Sequence, residues 1–548
     1  MDEGWQAATT PVIDAGLRTD RRPRPVGRTK SPTLYWWILI VWGCLLVALA
    51  PAVVASISRA VSRGAGIATL ALLVGNGLFV AYFWLNGVKD LVYVFYFYLN
   101  RRGLLRPVAP RPVTRVQPRV VLLYCTANDL SEESLERSLC QDYWNTELVI
   151  LDDSSDPAMR ARVDAFAARH RAEVVRRPDR VGFKAGNLNN YLAGRVDYDY
   201  FVLLDSDEII PVDFIPRALD YFASGDDIGI VQANHEATRN RTPFMRLFAR
   251  GVDSHWPTYQ AVKAHAGFMS LLGHGAMVSR RCYEAAGGFP HVVAEDLCFS
   301  IEARTAGYFT VFAPDIVCAE EYPIDYLAFK KRHSKWTQGN LEFIRAYTSR
   351  IARSPMRWFE KLDIVLFTYN LPLTAFFALY IVLNVVAFPI LGRLPHYPAW
   401  LLVPTLVFLL APMSNDIVFY WRRITPAQLC WYLLNTFILY GSMFFISLYA
   451  SLRGMLGVKA TFVVTPKESE RVGLLAAVGH SRRELVFAAA LLALATLTTG
   501  TPLPVLLIAL PSILSIYLTL LAAPRPVGRR PAHRRFTLVS LEELLASA

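Results

Sequence analysis

The chain has 548 residues, enough for a globular domain and a membrane region, and apolar residues make up 53% of it. With a mean hydropathy of +0.29, this balance argues against a water-soluble protein and favours membrane insertion. The net charge of +12 fits a cytoplasmic membrane face better than nucleic-acid binding, because Lys and Arg collect beside spanning helices. The seven cysteines show no metal-ligand spacing, which argues against structural zinc and is typical of reduced thiols.

The first hundred residues predict a disordered tail followed by membrane helices. Residues 1–32 are polar and arginine-rich, with the composition of a disordered segment. Region 33–100 contains two apolar stretches, each long enough to span a bilayer, and then an aromatic interfacial segment. Residues 101–118, rich in proline and arginine, are predicted to link this region to a soluble domain.

Residues 119–345 predict an α/β domain. Short apolar runs alternate with helical stretches, a pattern typical of a parallel sheet covered on both faces. Ligands bind such sheets at the carboxyl ends of the strands, where polar residues such as Thr126 and Asn128 are found. The predicted strands are Val120–Tyr124, Glu147–Leu151, Glu173–Arg176, Tyr200–Leu204 and Ala276–Ser279, and the predicted helices between the first four are Ser131–Cys140, Ala158–His170 and Ala185–Gly194.

The C-terminal part predicts a second membrane region. Its segments are an interfacial helix at 346–361, a transmembrane pair at 362–421, an interfacial or re-entrant helix at 425–458, a loop at 459–475, an interfacial piece with a transmembrane pair at 476–522, and a basic tail at 523–548. The distribution of Lys and Arg predicts six crossings, with both termini and the α/β domain in the cytoplasm. A seventh crossing at 429–452 would move the following loop to the outside.

Two acidic pairs follow predicted strands. Asp205 and Asp207, one residue apart at a strand end, are suited to gripping a divalent cation and a ribose. Asp152 and Asp153 end another strand, where a carboxylate accepts a hydrogen bond from a nucleotide base or simply caps the following helix. Either pair alone is weak evidence, since loops of many kinds contain such acids.

Further candidates lie between and after these strands. Lys184 opens a helix whose N-terminus is suited to a diphosphate, and Ala294–Asp296 offers a carboxylate as general base. Trp336 presents a platform for a sugar ring beside the cations Arg332 and Lys335. Gly273 and Gly275 flank His274 before a strand, where backbone can approach an acceptor closely. A capped helix, an interfacial tryptophan and a plain turn are the alternative interpretations.

These motifs, in this order and followed by Phe462–Lys467, resemble the catalytic subunits of cellulose synthases and related family-2 membrane glycosyltransferases. The resemblance covers roughly residues 120–475 and implies a GT-A (Rossmann-like) cytoplasmic domain inserted in an α-helical transmembrane region. It also implies Mg²⁺ or Mn²⁺ as cofactor, a nucleotide-sugar donor such as UDP-glucose, and a growing polysaccharide as acceptor. Such an enzyme lies in the plasma membrane and exports its polymer, which leaves room for a periplasmic or cell-wall partner protein.

The resemblance assigns roles residue by residue. It places Asp296 as catalytic base and Trp336 near the acceptor. Glu295, Gly273 and His274 are expected near the acceptor as well. The donor side comprises Thr126, Asp152, Asp153, Lys184, Asp205, Arg332 and Lys335, and Asp207 with Asp205 takes the metal. Phe462, Val464, Thr465 and Lys467 match a gating loop that closes over bound donor.

Three departures from the family pattern bear on acceptor and linkage. Ala294 stands where the family has Thr, Arg332 where it has Gln, and Lys335 where it has Arg, which loses bidentate geometry toward phosphate. The Gly-His-Gly segment is closer to that of osmoregulated periplasmic glucan synthases. We expect a processive inverting glycosyltransferase that makes a β-linked polysaccharide. A transferase adding one sugar to a lipid carrier, a non-catalytic paralogue and a transporter are the alternatives.

Overall fold

The computed structural model describes residues 30–110, 117–238, 242–369, 377–392, 395, 397–458 and 472–521. Between its membrane helices lies a seven-stranded sheet flanked by helices, which confirms the expected α/β fold. The strands are β1 (Val120–Thr126), β2 (Thr146–Asp152), β3 (Glu173–Val175), β4 (Tyr200–Leu204), β5 (Ile228–Ala237), β6 (Ala276–Ser279) and β7 (Phe309–Glu320).

The sheet is mixed, with strand order β3-β2-β1-β4-β6-β5-β7. Strands β1 to β4 pair in parallel, as expected, whereas β6 is antiparallel to both β4 and β5. The prediction of a parallel sheet is therefore wrong for β6. The chain enters this strand from the turn at Gly273–Gly275, which lies at the carboxyl end of β4, where the amide of Gly275 bonds the Leu203 carbonyl at 2.9 Å.

Helices pack on both faces of the sheet and bury an apolar core on each. Alternation along β1 sends Val120, Leu122 and Tyr124 into one core and Val121 and Leu123 into the other. The helices here are α3 (Glu132–Leu139), α4 (Pro157–His170), α5 (Phe183–Leu192), α6 (Phe214–Ala223), α7 (Pro243–His255), α8 (Ala261–Ala266), α9 (Arg280–Ala286), α10 (Glu295–Thr305), α11 (Tyr326–Arg353) and α12 (Trp358–Thr368).

Five helices in the described part of the chain are long and apolar enough to cross a membrane: α1 (Thr33–Ser62), α2 (Ile67–Leu104), Ala399–Tyr420, Pro426–Met455 and Leu503–Leu520. Phe377–Leu391 is apolar but shorter, and Leu474–His480 and Arg482–Thr499 precede the last of the five. A π-helical segment, Trp256–Gln260, joins α7 to α8. Pro426–Met455 is one of these five, so it is long enough to cross the membrane and need not lie in the interface as predicted for 425–458. The count of six crossings stays a prediction.

Three predicted segments differ from the structure. The helix expected at 346–361 is interrupted, because Pro355 cannot continue the helix that ends at Arg353, and a new one starts at Trp358. The aromatic segment up to residue 100 is part of the continuous helix α2. At the edge of the expected disordered tail, Lys30 donates to the Gly267 carbonyl at 2.7 Å, which fixes residues 30–32 against the α/β domain.

Candidate active site

A cavity of about 650 Å³ opens at the carboxyl ends of the parallel strands. Register explains the convergence, because Thr126 of β1 pairs with Asp152 of β2, and Tyr124 pairs with Leu204 of β4, just before Asp205. The cavity is lined by twelve of the residues predicted from the sequence: Thr126, Asp153, Lys184, Asp205, Asp207, Gly273, His274, Glu295, Asp296, Arg332, Lys335 and Trp336.

Lys184 connects the donor side of the cavity to the glycine turn. Its Nζ contacts Asp205 Oδ1 and donates to the Gly273 carbonyl at 2.8 Å. Burial lowers the pKa of Lys184, but the Asp205 carboxylate more than offsets this effect and raises the pKa above its usual value. The side chain is therefore a fixed cation in the cavity wall.

Glu295 and Asp296 begin α10 and face the cavity from the other side. Burial, and then the neighbouring Asp296 charge, raise the pKa of Glu295 to about 7. Burial likewise raises the pKa of Asp296, against the hydrogen bond that its carboxylate accepts from the Leu297 amide at 2.7 Å. A carboxylate with a raised pKa is a better proton acceptor than an exposed one, which suits a general base.

Helix α11 supplies the third wall with Arg332, Lys335 and Trp336. The Arg332 guanidinium lies 4.4 Å from the centre of the Trp336 ring, which is 41% exposed. Burial lowers the pKa of Lys335, and the Glu295 charge opposes that shift. An aromatic face beside two cations is suited to a sugar ring attached to a phosphate.

The acidic pair after β2 is divided between two environments. Asp153 lines the cavity and accepts two hydrogen bonds from Arg177, at 3.0 and 2.7 Å. Asp152 was expected to bind the donor, but it is buried and paired with Arg176 at 2.7 Å, outside the cavity lining. The two side chains differ because Asp152 is the last residue of β2, whereas Asp153 lies in the loop that follows the strand.

Asp207 faces the cavity beside acidic residues that end β7. Its Oδ2 accepts a hydrogen bond from the Glu321 amide at 3.3 Å, and Glu320 and Glu321 line the same wall. Together with Asp205 it offers hard carboxylate oxygens, the donor set preferred by Mg²⁺ and Mn²⁺. The residues present therefore fit the expected divalent cation.

His274 lies between two glutamates, although it also reaches the cavity. Its Nδ1 is 3.3 Å from Glu208 Oε1, and its Nε2 is 3.4 Å from Glu320 Oε2. Burial lowers the pKa of His274, but these carboxylates more than offset it and raise the pKa to about 10. His235, the other imidazole beside these glutamates, stacks on Trp256 with ring centres 4.3 Å apart.

Gly275 is required by this arrangement. Its φ is +58°, and an added Cβ would lie 2.4 Å from Glu208 Oε1 and 2.5 Å from His235 Nε2. We expect Gly275→Ala to lower the thermal unfolding midpoint by several degrees more than Gly287→Ala. Gly287 is the matched control, because its φ is +79° but no atom of the described part of the chain lies within 4 Å of its Cβ position. Equal midpoints for the two variants in detergent solution would contradict the steric argument.

Several lining residues escaped the sequence analysis. Asp129 accepts hydrogen bonds from Thr126 at 3.0 Å and Ser206 at 2.6 Å, so it joins the ends of β1 and β4. Glu320 and Glu321 are acidic residues at the end of a strand, which is the same signal that identified Asp205. They were missed because strand β7 itself was not predicted. Asn128, which was expected at the ligand-binding edge, is not among the lining residues and accepts hydrogen bonds from the amides of Ser155 and Asp156, both at 2.9 Å, in the loop before α4.

A second cavity, of about 490 Å³, lies among the membrane helices next to the first. Phe367 lines both cavities and is flanked by Lys263 and Lys89, with Nζ atoms 3.7 and 4.2 Å from its ring centre. Aromatic and polar side chains share the lining: Lys89, Asp90, His255, Trp256, Tyr259, Asn415, Asp416, Tyr432, Thr436 and Tyr440. The predicted gating residues Phe462, Val464, Thr465 and Lys467 lie outside the described residues.

Residues 200–439 match the sequence model of a family described as "Glycosyl transferase family group 2". The chain carries a family-2 glycosyltransferase domain. The matched segment begins at β4 and continues into the second membrane region, so it includes Asp205, Asp296 and Trp336. The glycosyltransferase domain and the apolar helices are those of a membrane protein.

Curated plant proteins resemble this chain. A probable glucomannan 4-β-mannosyltransferase 9 of Oryza sativa subsp. japonica is 29% identical over 226 residues, 39% of this chain and 43% of that protein. A probable glucomannan 4-β-mannosyltransferase 1 of Arabidopsis thaliana is 25% identical over 310 residues, 52% of this chain and 55% of that protein. The chain thus spans about half the length of the curated relatives it matches.

Among solved structures, a mannosyltransferase from Pyrobaculum calidifontis, in complex with GDP-Man and Mn²⁺, is 21% identical, with a TM-score of 0.41. The match covers 68% of this chain and 99% of that one. TarS of S. aureus is 14% identical, with a TM-score of 0.34, over 55% of this chain and 54% of that one.

Proposed function

We propose that this protein is a processive, inverting glycosyltransferase of the plasma membrane, with its α/β domain in the cytoplasm. It polymerises a nucleotide-activated hexose into a β-linked polysaccharide and passes the polymer across the bilayer. The observation that carries the proposal is the convergence of Lys184, Asp205, Asp296 and Trp336 on one cavity, from positions up to 152 residues apart in the chain. Neither a transporter nor a non-catalytic paralogue requires that arrangement.

Asp296 acts as the general base. It takes the proton from the acceptor hydroxyl, whose oxygen then attacks the anomeric carbon in line with the departing diphosphate. Gly273 leaves room for this carboxylate, because a Cβ there would lie 3.3 Å from Asp296 Oδ2. A single in-line displacement inverts the anomeric configuration, which gives a β-linkage from an α-linked donor.

The bond from the anomeric carbon to the phosphate oxygen breaks, and the electron pair leaves with the nucleoside diphosphate. Lys184 and Lys335 both line the cavity and neutralise the growing negative charge. Asp205 and Asp207 would hold Mg²⁺ or Mn²⁺, which supplies further charge neutralisation to the diphosphate when bound. Asp153, which is paired with Arg177, borders the proposed position of the nucleotide base of the donor.

The acceptor end rests on Trp336, and the second cavity provides the route into the membrane. Aromatic faces bind the apolar faces of sugar rings, and the polar side chains of that cavity satisfy hydroxyl groups. Phe367 stands between the two cavities, so a chain leaving Trp336 would pass beside it. This continuity favours a processive, exporting enzyme over one that adds a single sugar to a lipid carrier.

The donor is a hexose linked to a nucleoside diphosphate. The cellulose-synthase resemblance favours UDP-glucose, whereas the curated relatives are named as mannosyltransferases, which favours GDP-mannose. Both donors have the diphosphate and hexose that the cavity is proposed to bind. A periplasmic or cell-wall protein that receives the polymer is a proposed partner.

A donor panel tests the proposal. The purified chain in lipid nanodiscs is given UDP-glucose, GDP-mannose, UDP-galactose and UDP-N-acetylglucosamine in turn, with Mg²⁺ or Mn²⁺. We expect nucleoside diphosphate release and long polymer from one of the two favoured donors. Release with a single-sugar lipid adduct would favour the lipid-carrier alternative, and no release from any donor would contradict the proposed activity.

The acid side of the pH profile follows from the paired carboxylates. A general base works only when deprotonated, and the pKa values of Glu295 and Asp296 are both raised, that of Glu295 to about 7. Because the pKa of Asp296 is raised by burial, we expect kcat/KM to fall on the acid side at a higher pH than the value near 4 at which ordinary carboxylates titrate. Glu295→Gln removes the neighbouring negative charge and should move this fall to lower pH. A flat profile between pH 8 and 5 would contradict the assignment.

A further inference from the structure

Four side chains form a closed ring at the wall of the catalytic cavity, and two of them, His274 and Glu320, also line it. Glu208 and Glu320 alternate with His235 and His274, and we call this group the His/Glu ring. Its four nitrogen–oxygen distances are 3.3 Å (His274 Nδ1 to Glu208 Oε1), 3.4 Å (His274 Nε2 to Glu320 Oε2), 3.5 Å (His235 Nδ1 to Glu320 Oε1) and 3.9 Å (His235 Nε2 to Glu208 Oε1).

We propose that the His/Glu ring binds a divalent transition-metal ion, at a site separate from the cation site of Asp205 and Asp207. Glu208 Oε1, His235 Nε2 and His274 Nδ1 are the ligands. Single ligand atoms of these three residues lie within 4.8 Å of one another. Two ligands about 2.1 Å from one ion are separated by roughly 3–3.5 Å, so small side-chain shifts are enough to close on it.

Glu320 completes the arrangement without being a ligand. Its two oxygens face Nδ1 of His235 at 3.5 Å and Nε2 of His274 at 3.4 Å, the ring nitrogens that point away from Glu208. Metal-bound histidines commonly donate their second N–H to a carboxylate, which fixes the tautomer and the ring orientation. The Glu320 carboxylate lies within 3.5 Å of both nitrogens and is placed to accept both N–H groups after the small shifts that ion binding requires, whereas His235 Nδ1 makes no regular hydrogen bond to a described residue in this structure.

Unpartnered atoms at the centre of the ring point to a missing ion. Glu208 Oε1 and His274 Nδ1 lie 3.3 Å apart, and neither atom, nor His235 Nδ1, makes a hydrogen bond of regular geometry to a described residue. The other Glu208 oxygen is satisfied, because it accepts from the Gly275 amide at 2.9 Å. Buried polar atoms without a partner are rare in folded proteins, and a metal ion between these atoms would satisfy them.

Gln232 does not occupy the ligand position. Its Nε2 is 3.3 Å from His235 Nε2, but the same amide donates to the carbonyls of His274 at 2.9 Å and Gly275 at 3.2 Å. The amide also lies 3.4 Å from the Ala233 carbonyl, so carbonyl acceptors outnumber its two hydrogens, and the imidazole lone pair stays available to an ion. His235 is covered on its ring face by Trp256, so His274, whose side chain is 12% exposed, gives the route from the cavity.

The donor set selects the class of ion. Two imidazoles with one carboxylate are typical of sites for Zn²⁺ and other first-row transition ions, whereas Asp205 and Asp207 offer only oxygens. The bound ion would fix Glu208, next to the acidic pair, against His274 in the glycine turn. That turn presents the Gly273 carbonyl to Lys184, so the ion would stabilise the donor side of the cavity.

Elemental analysis tests the proposal on the full, tag-free chain in detergent after gel filtration in EDTA. We expect about one equivalent of a transition metal in the native protein and in the double variant Asp205→Asn/Asp207→Asn. His235→Ala and His274→Ala should each lose most of it. Retention of the metal in both histidine variants, or its loss only in the double aspartate variant, would overturn the site.

A second measurement needs no variant. Co²⁺ is added to chelator-stripped native protein, and the visible ligand-field absorption is recorded. We expect the absorption to saturate at one equivalent of Co²⁺. Zn²⁺ should displace the bound Co²⁺ and abolish the absorption, whereas excess Mg²⁺ should leave it unchanged. No transition metal in the purified protein together with no Co²⁺ absorption would overturn the proposal and leave the ring neutralised by protons alone.

Discussion

Replacing Asp296 with Asn is expected to lower the rate of sugar transfer by about 10²–10⁴-fold, the usual contribution of a general base. Asn keeps the size of the side chain but cannot take the proton of the acceptor hydroxyl. The raised pKa of Asp296 comes mainly from burial, so the variant removes a buried charge and should fold normally. Initial rates of nucleoside diphosphate release measure the effect, with donor KM expected to change little.

Asp226→Asn is the matched control for this variant, because it makes the same change at an exposed carboxylate of the α/β domain. It should keep the native rate. Donor binding to Asp296→Asn, measured by calorimetry, should also be close to native. Normal turnover by Asp296→Asn would show that another group takes the proton.

Replacing Lys184 with Met is expected to lower kcat/KM for the donor by about 10²–10³-fold, similar to the loss of one charge-stabilising donor at other active sites. The ammonium group is held in the wall by Asp205 and by the Gly273 carbonyl. Without this ammonium group, only Lys335 of the two lysines remains to neutralise the negative charge that develops on the diphosphate. The Asp205 side chain is 41% exposed, so it can be hydrated in the variant, and stability should fall only slightly.

Lys331→Met, at an exposed position in helix α11, provides the control for general loss of charge and should behave as the native chain. Lys184→Arg should recover part of the activity, because it keeps the charge but not the geometry of the ammonium. Equal activity of Lys184→Met and Lys331→Met would exclude Lys184 from donor stabilisation.

Strands β1 to β4 were predictable because each is a short apolar run followed by a helical stretch and polar residues. Strand β6 was found as a strand, but its direction was not, because hydrophobic pattern carries no information on whether neighbours run parallel. The helix break before Trp358 depends on Pro355, a signal that was present in the sequence. Because the residues on both sides of Pro355 have similar basic and aromatic character, composition alone predicts one continuous helix there.

The residues of the cavity were predicted mostly from motif order, and the structure brings twelve of them together. Asp152 shows the limit of this reasoning, since an acid at a strand end reaches the site only if it points to the correct face. The His/Glu ring was beyond prediction for another reason. Its members come from four separate elements, and pairing of β5 with β7 in the fold, not spacing in the sequence, brings His235 to Glu320.

The most direct test of the proposed function is the length of the first products. The protein in nanodiscs is given the accepted donor, radiolabelled and limiting, and products are sized after a few turnovers per enzyme. A processive enzyme yields long chains from the start, while most acceptor ends stay unextended. Products that all carry one sugar, or that lengthen together one sugar at a time, would contradict the account.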